Sequence, residues 1–424
     1  MQFQKIRGVR DLRPSETPIW QYVESVCRSQ FEAFGYGELR TPLIEPVHLF
    51  TRSLGEGSDV VRKEMYVFKD KGDREIALRP EGTAPVVRSI LEDGSIQNTK
   101  GGVLKLYYIG RMYRYDRPQE GRYREFYQAG VEAIGSLNPI LDVEVILLAV
   151  DLFSRLELEG LSVSLNSIGC KICRPGFQKA LKDYFEKFSD QLCTDCGDRW
   201  EKNILRILDC KNESCKKIVI DAPKSTDHLC KECGDHFLQV QSLLKKRRVA
   251  FQLDPLLVRG LDYYTRTAFE IISGTLGTQN AVCGGGRYDN LIEEFGGPDT
   301  PAVGFAIGLD RLVSILPIEV REKTKQSIDV LVFPLGKDAQ DVALSLCLSL
   351  RAKGIRTDMG FEDRGLKGSL KTASNMGAKV VLILGEDELK KDVVQLRDME
   401  MGEQSEVRLA EVVSRVESML ERKS

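Results

Sequence analysis

The chain has 424 residues, 42% of them hydrophobic, which is long for one domain and gives enough apolar content for two or three cores. Its 61 lysines and arginines against 63 acids leave a net charge of −2, so no global field draws it to nucleic acid and an avid, non-specific DNA binder is disfavoured. No run of about eighteen apolar residues marks a membrane span, and Met1-Gln-Phe-Gln-Lys-Ile-Arg7 lacks the apolar stretch of a signal peptide, so the sequence implies a soluble, cytoplasmic protein.

Ser15-Glu-Thr-Pro18 is a helix-start signal, and Ile19, Tyr22, Val23 and Val26 repeat behind it at helical spacing. A glycine turn then opens an extended segment, Tyr36 to Glu45, interrupted by Pro42. Proline inside a strand belongs at an edge or an interface. Short β-like runs follow at Met65–Phe68, Glu75–Leu78, Val103–Ile109 and Phe126–Ile134. Their close spacing, with turn signals between, favours an antiparallel sheet over βαβ units. A helix is predicted over Asp142–Leu156 and a strand over Ser162–Asn166. A cysteine-bearing segment interrupts the sheet from about Gly169 to Val249. The sheet resumes at Leu253–Val258, Ala268–Ile272 and Ala302–Ile307, and a helix over Leu309–Leu316 closes it.

Pro317 to Ser327 is predicted to be a charged linker. Beyond it the pattern changes to buried strands at Val330–Phe333 and Lys379–Leu384, a helix face of Ala339, Val342, Ala343, Leu346 and Leu350, and a helix around Leu366–Met376. A strand at Val393–Leu396 and a helix at Leu409–Leu420 finish the chain. Alternating strands and helices make a separate α/β domain of about a hundred residues. The expected division is therefore 1–325, an α+β antiparallel-sheet domain with an insertion at about 169–249, and 326–424.

Three arginine-centred segments fall on the predicted sheet. Gly110-Arg-Met-Tyr-Arg-Tyr-Asp-Arg-Pro118 leads by a loop to Gly121-Arg-Tyr-Arg-Glu-Phe-Tyr-Gln128. Two strands joined this way can aim Arg114 and Arg122 at one polyphosphate and leave Phe126 to stack on a base. In Ala302-Val-Gly-Phe-Ala-Ile-Gly-Leu-Asp-Arg311, small residues let a flat group approach the backbone, and Arg311 lies on the first turn of a helix. The third, Arg259-Gly-Leu-Asp-Tyr-Tyr-Thr265, sets a guanidinium beside two phenols, which suits a ligand carrying an anion and a planar ring. Any single arginine could simply pair with a surface carboxylate. Three such segments in one sheet domain, with Leu78-Arg-Pro-Glu-Gly-Thr83, argue against that. Neither a Gly-x4-Gly-Lys-Ser/Thr loop nor a Gly-x-Gly-x-x-Gly fingerprint is present, so any nucleotide here is held by arginines on a sheet. The run Lys245–Arg248 is expected to be a solvated helix end.

Eight of the eleven cysteines occur as Cys170-x-x-Cys173, Cys193-x-x-Cys196, Cys210-x4-Cys215 and Cys230-x-x-Cys233. This is ligand spacing for one or two tetrahedral zinc sites. The alternative is reduced thiols packed in a small helical insertion. Cys27, Cys283 and Cys347 are expected to be core residues.

These segments resemble the class II aminoacyl-tRNA synthetases and, within them, the histidyl-tRNA synthetase family. Gly35–Pro46 is similar to motif 1, Tyr113–Asp116 through Arg122 and Phe126 to motif 2, and Gly304–Arg311 to motif 3. Arg259–Tyr264 and Cys283-Gly-Gly-Gly-Arg-Tyr-Asp289 are similar to the histidine-specific segments. The resemblance spans essentially the whole chain, and the C-terminal domain is similar to the family's anticodon-binding domain. It implies histidine–tRNA ligation in two steps with ATP and Mg2+ through a histidyl-adenylate, a tRNA partner and a homodimer. It implies that Arg114 holds the α-phosphate and the substrate carboxylate, with Arg259 opposite as a charge that relatives supply by a metal ion. Arg122 and Arg311 then hold the polyphosphate tail, with adenine between Phe126 and Arg311. Glu81, Gly82, Thr83 and Gln128 match positions around the amino group; Glu132, Tyr263 and Tyr264 match those around the imidazole, with Tyr288 nearby. The resemblance gives the cysteines no part in the chemistry. One departure stands out: motif 2 usually reads Arg-x-Glu, and Asp116 reaches about one methylene less toward an adenine edge. A histidine-binding regulatory paralogue is the competing reading, set against by the retained Arg114, Arg259 and Arg311 and by the C-terminal domain.

Overall fold

The computed structural model describes residues 3–55, 57–99, 102–119, 121–274, 281–325, 327–361 and 365–421. The chain divides into two compact units, Met1–Thr324 and Lys325–Ser424.

The first unit is built on an eight-stranded sheet. Its spatial order is Gly37–Glu38, Leu104–Tyr113, Glu125–Ile134, Ala302–Gly308, Ala281–Arg287, Thr265–Ser273, Leu161–Ser167 and Phe251–Leu253. The pairings are antiparallel except at the two edges, where Gly37–Glu38 and Phe251–Leu253 each lie parallel to their neighbours. The parallel pair Leu161–Ser167 and Phe251–Leu253 needs a crossover between its strands, and the cysteine-bearing insertion supplies it. Helices Thr17–Ala33 and Pro139–Arg155 cover one face. Both start with a proline in the first turn, where its missing N–H costs nothing. Trp20, Val23, Cys27 and Phe31 of the first helix are buried against the sheet core.

Several elements depart from the sequence expectation. The strand expected to end at Ile109 runs on to Tyr113, because Gly110–Tyr113 is paired residue by residue with Gln128–Glu125, and Met112 is buried. The run Leu253–Val258 is a strand only at Leu253: Asp254 ends it in a turn, its carboxylate accepting from Leu256 N at 3.1 Å and its carbonyl from Leu257 N at 3.0 Å. In Ala281–Arg287 three consecutive glycines weaken the β-propensity, and the sequence does not predict a strand there, yet both neighbours pin it. Glycine is required there by close packing: a Cβ on Gly285 would lie 2.7 Å from both Phe269 Cζ and Phe305 Cβ. The extended Tyr36–Glu45 segment splits at Pro42, one part joining the large sheet. Ile44–Pro46 joins a separate three-stranded sheet with Glu75–Leu78 and Tyr66–Lys69. The expected linker contains a helix, Ile318–Thr324. It buries Val320, and Arg321 Nη2 donates to the carbonyls of Val313 and Ser314 at 2.7 and 2.8 Å, capping the preceding helix.

A buried ionic cluster ties these layers together. Arg287 and Asp142 are wholly buried, with Nη2 2.6 Å from Oδ2 and Nε 2.9 Å from both oxygens. His236 Nε2 lies 3.0 Å from Asp142 Oδ1, and Asp289 lies 3.2 Å from Arg287 Nη1. Burial alone would raise the Asp142 carboxyl; His236 and Arg287 together hold it below the usual range. Removing the arginine leaves a buried charge short of a partner. Arg287→Leu is therefore expected to lower the unfolding free energy by about 3–5 kcal/mol, measurable by urea denaturation. A loss under about 1 kcal/mol would show that the cluster is not a structural joint.

The second unit has a five-stranded sheet ordered Thr357–Met359, Val330–Pro334, Val380–Leu384, Val393–Asp398 and Gln404–Arg408. The first three are parallel, the others antiparallel. Alternate residues of the two central strands enter different cores. Val330, Val332, Val380 and Leu382 pack with Ala343, Leu346 and Val412, whereas Leu331, Phe333, Val381 and Ile383 pack with Ala373. Burial on both faces explains their unbroken apolar runs. Among the described residues, no helix is long and apolar enough to cross a membrane.

Candidate active site

A cavity of about 770 Å3 opens on the first unit. Among its walls are residues of the hairpin Leu104–Tyr113/Glu125–Ile134 and of the strands Thr265–Ser273, Ala281–Arg287 and Ala302–Gly308. Every site residue expected from the sequence except Gly82 lines it, so the three arginine segments, far apart in the chain, converge on one space. Gly82 adjoins it: a Cβ there would overlap the Tyr108 ring, and Tyr108 lines the cavity.

One part of the cavity is rich in buried acids and phenols. Glu81 accepts from Thr83 N at 2.7 Å and Ala84 N at 2.9 Å, capping the helix Thr83–Glu92 that the sequence did not reveal. Glu132 accepts from Tyr288 OH at 2.5 Å and from Thr83 Oγ1 at 2.7 Å. Burial raises the Glu81 carboxyl and raises that of Glu132 to about 8, although the hydroxyl donors on Glu132 work against the rise. Two buried acids with raised values want a cation or a ring N–H between them. Gln128 Oε1 is buried without a hydrogen-bond partner, a further acceptor turned inward. Tyr263 packs on Tyr264 at 4.7 Å and on Tyr288 at 5.7 Å between ring centroids, forming an aromatic wall.

The rest of the cavity carries positive charge. Arg114 Nε donates to Pro80 O at 2.8 Å, and its guanidinium lies 5.6 Å from the Phe126 ring centroid. Arg122 pairs with Asp116 at 3.0 Å, so the short motif 2 acid is engaged by an arginine. Arg311 sits on the first turn of the helix Leu309–Ser314, and its Nη1 donates to Ala281 O at 2.8 Å. Burial, and then the charges of Arg122 and Arg114, push its proton affinity down. Like charges crowded together in this way attract an anion.

Arg259 pairs with Glu270, and its guanidinium lies 5.6 Å from the Tyr264 ring centroid. Burial disfavours its charge, but Glu270 outweighs burial and strengthens its hold on the proton. The guanidinium is seated against Gly284, where a Cβ would lie 2.5 Å from Arg259 Cζ. Sequence reasoning missed Glu270. The only available signal was an acid inside the apolar run Ala268-Phe-Glu-Ile-Ile272. It also missed Arg206 and Asp59, which line the cavity from other segments and lie 3.5 Å apart. The eight insertion cysteines gather into two groups of four, Cys170, Cys173, Cys230 and Cys233, and Cys193, Cys196, Cys210 and Cys215. Lys245–Arg248 closes the helix Lys231–Lys246 in solvent, as the charge pattern implied.

Residues 8–180 and 198–312 match the family described as histidyl-tRNA synthetase, and residues 329–419 match an anticodon binding domain. The histidine–tRNA ligase of Desulforudis audaxviator is 48% identical over 410 residues, 97% of each chain. That of Moorella thermoacetica is 46% identical over 416 residues, 98% of each. The apo histidyl-tRNA synthetase of S. aureus superposes with a TM-score of 0.81 at 34% identity, covering 98% of this chain and 100% of that one.

Proposed function

The chain belongs to the histidyl-tRNA synthetase family, and on that premise we propose how its cavity activates L-histidine with ATP and passes it to tRNA. The observation that carries the reading is the meeting, in one cavity, of Arg259 and Arg114 with the buried acids Glu81 and Glu132.

Histidine enters with its ammonium toward Glu81, Thr83 and Gln128 and its imidazole toward Glu132, Tyr263 and Tyr264. Tyr288 fixes Glu132 as acceptor for the ring N–H. The backbone at Gly82 lets the amino acid approach closely. Phe126 and Arg311 take the faces of adenine, while Arg122 and Arg311 take the β- and γ-phosphates. The histidine carboxylate attacks the α-phosphorus in line, pyrophosphate leaves on the opposite side, and Arg114 and Arg259 balance the charge that grows on the α-phosphate oxygens. The ribose hydroxyl at the tRNA end then attacks the mixed anhydride, releasing AMP. Magnesium is expected to arrive on the ATP phosphates and to bind through them. The cavity carboxylates Glu270 and Asp116 are each held in an arginine pair, which is no all-protein cage.

The second unit takes the anticodon in this proposal, and the enzyme works as a cytoplasmic homodimer. Exposed Leu43, Ile44, Val67 and Phe68 on or beside the three-stranded sheet, next to Pro42, support a contact with a second copy.

The deciding experiment is pyrophosphate exchange into ATP with histidine and, in parallel, with the other nineteen amino acids. Exchange with histidine alone is expected. Exchange with proline or threonine instead overturns the substrate, and histidine binding without exchange points to a regulator.

Glu132 gives the site a pH signature. Burial holds its carboxyl at about 8, so at pH 7 it is mostly protonated. Accepting the imidazole N–H needs the carboxylate, so binding expels one proton. The KM for histidine should therefore fall about fivefold as pH rises from 7 to 8 and about twofold more before it levels off near pH 9. Free histidine is already neutral at its ring in that window. A flat KM from pH 7 to 8.5 would exclude this role for Glu132.

A further inference from the structure

The two cysteine groups lie outside the cavity chemistry described so far, and their geometry is specific. All eleven cysteines are free, and in each group the four sulfurs lie within 4.8 Å of one another. Cys170 Sγ is 3.8 Å from Cys173 Sγ and 3.9 Å from Cys230 Sγ, and Cys173 Sγ is 3.9 Å from Cys233 Sγ. In the other group Cys193 Sγ is 3.8 Å from Cys210 Sγ. Four thiolates bound at about 2.3 Å around a tetrahedral ion are separated by about 3.8 Å, whereas a disulfide brings its sulfurs to about 2.0 Å. The 3.8–3.9 Å separations match that edge.

Backbone amides point at the sulfurs. Cys170 N donates to Cys173 Sγ at 3.2 Å and Ile172 N to Cys170 Sγ at 3.4 Å; Cys193 N donates to Cys215 Sγ at 3.3 Å and Asn212 N to Cys210 Sγ at 3.4 Å. Cys173, Cys193 and Cys230 each immediately precede a helix, where the unpaired amides of the first turn favour a thiolate. Packing of apolar thiols explains burial, but it does not explain four sulfurs converging twice with amide donors aimed at them.

Both groups also connect to the segment that selects histidine. Arg174, next to Cys173, donates to the carbonyl of Tyr264, and Gly169 O accepts from Arg266 N at 2.9 Å. Between the cysteines of the other group, Arg206 Nη1 donates to Arg259 O at 3.3 Å and Asn203 Nδ2 to Asp262 Oδ1 at 2.5 Å. One group therefore grips the Tyr264 end and the other the Arg259 end.

We propose that these are two zinc sites and that the zinc-held insertion clamps Arg259–Tyr264 in its working conformation. Each Zn2+ replaces the protons of four thiols, forming four Zn–S bonds and releasing four protons to solvent; no electrons move. Tetrahedral sulfur ligation suits zinc, and with all four positions filled by protein no site is left for substrate, so the ions act through position alone. Arg174, Arg206 and Asn203 are positioning residues.

The metal half of the proposal stands by itself; the clamp rests on the reading of Arg259–Tyr264 as the histidine and α-phosphate segment. The full chain, dialysed against metal-free buffer, is expected to retain about two zinc ions by elemental analysis. Cys196→Ser and Cys233→Ser are each expected to retain about one. A wild-type content near zero, or iron in place of zinc, overturns the metal assignment whether or not the chain exchanges pyrophosphate. For the clamp, Arg206→Ala is expected to keep both zinc ions and to lower kcat for histidine-dependent exchange about tenfold, with KM for ATP little changed. Arg206→Lys, which keeps a donor, is expected to recover part of that loss. Unchanged kinetics in Arg206→Ala with zinc retained overturns the clamp and leaves the zinc sites standing.

Discussion

Replacing Arg259 by alanine is expected to slow histidine-dependent pyrophosphate exchange by about two to three orders of magnitude, with most of the loss in kcat. The guanidinium is mostly buried, paired with Glu270 and seated against Gly284, so it is held in place before substrate arrives. A charge arranged in advance needs no reorganisation if the α-phosphate oxygens gain negative charge beside it, so its effect is expected to fall on the transition state. Arg259→Lys should recover little, because an ammonium cannot reproduce the planar fork. Near-normal exchange by the alanine variant would remove Arg259 from the reaction.

Gly284→Ala is expected to be nearly as damaging, about a hundredfold in exchange, for a steric reason. Its added Cβ would lie 2.5 Å from Arg259 Cζ and 2.6 Å from Nη1, so the guanidinium has to leave its seat. That guanidinium is the far end of a flexible side chain, so the fold should survive with little loss of stability. Gly285→Ala is the internal contrast. Its Cβ would meet Phe269, Phe305 and the carbonyl of Gly304, none of which can yield easily. It is expected to destabilise the protein by about 1–3 kcal/mol. Thermal unfolding and exchange measured together on both variants separate the effects. A Gly284→Ala enzyme with wild-type turnover would show that Arg259 does not act from this position.

The residues of the site were legible because the chemistry of an anion and a ring needs unusual side chains. Arginines beside tyrosines and glycines stand out in a strand. Their supports were not. Glu270 is one acid among 63 acidic residues, and nothing local marks it as the partner of Arg259. Arg206 lies in the insertion, fifty-three positions before the Arg259 carbonyl it reaches. The strand Ala281–Arg287 escaped detection because three consecutive glycines weaken its strand propensity; only the close approach of Phe269, Phe305 and Gly304 makes them necessary. The helix Ile318–Thr324 escaped because its charged residues resemble a linker, and one buried Val320 decides otherwise.

By itself the sequence determined the two kinds of sheet, the helical insertion, the family and the residues that meet in the cavity. Those follow from period, composition and side-chain chemistry, which are local properties. Only the tertiary structure decided which carboxylate holds which arginine, why Gly284 and Gly285 have different duties, and that eight cysteines sort into nested groups, 170/173 with 230/233 and 193/196 with 210/215. Ligand spacing names the donors, but which pairs share a tetrahedron depends on how the insertion folds back on itself. Pairing across sixty residues is a property of the folded chain.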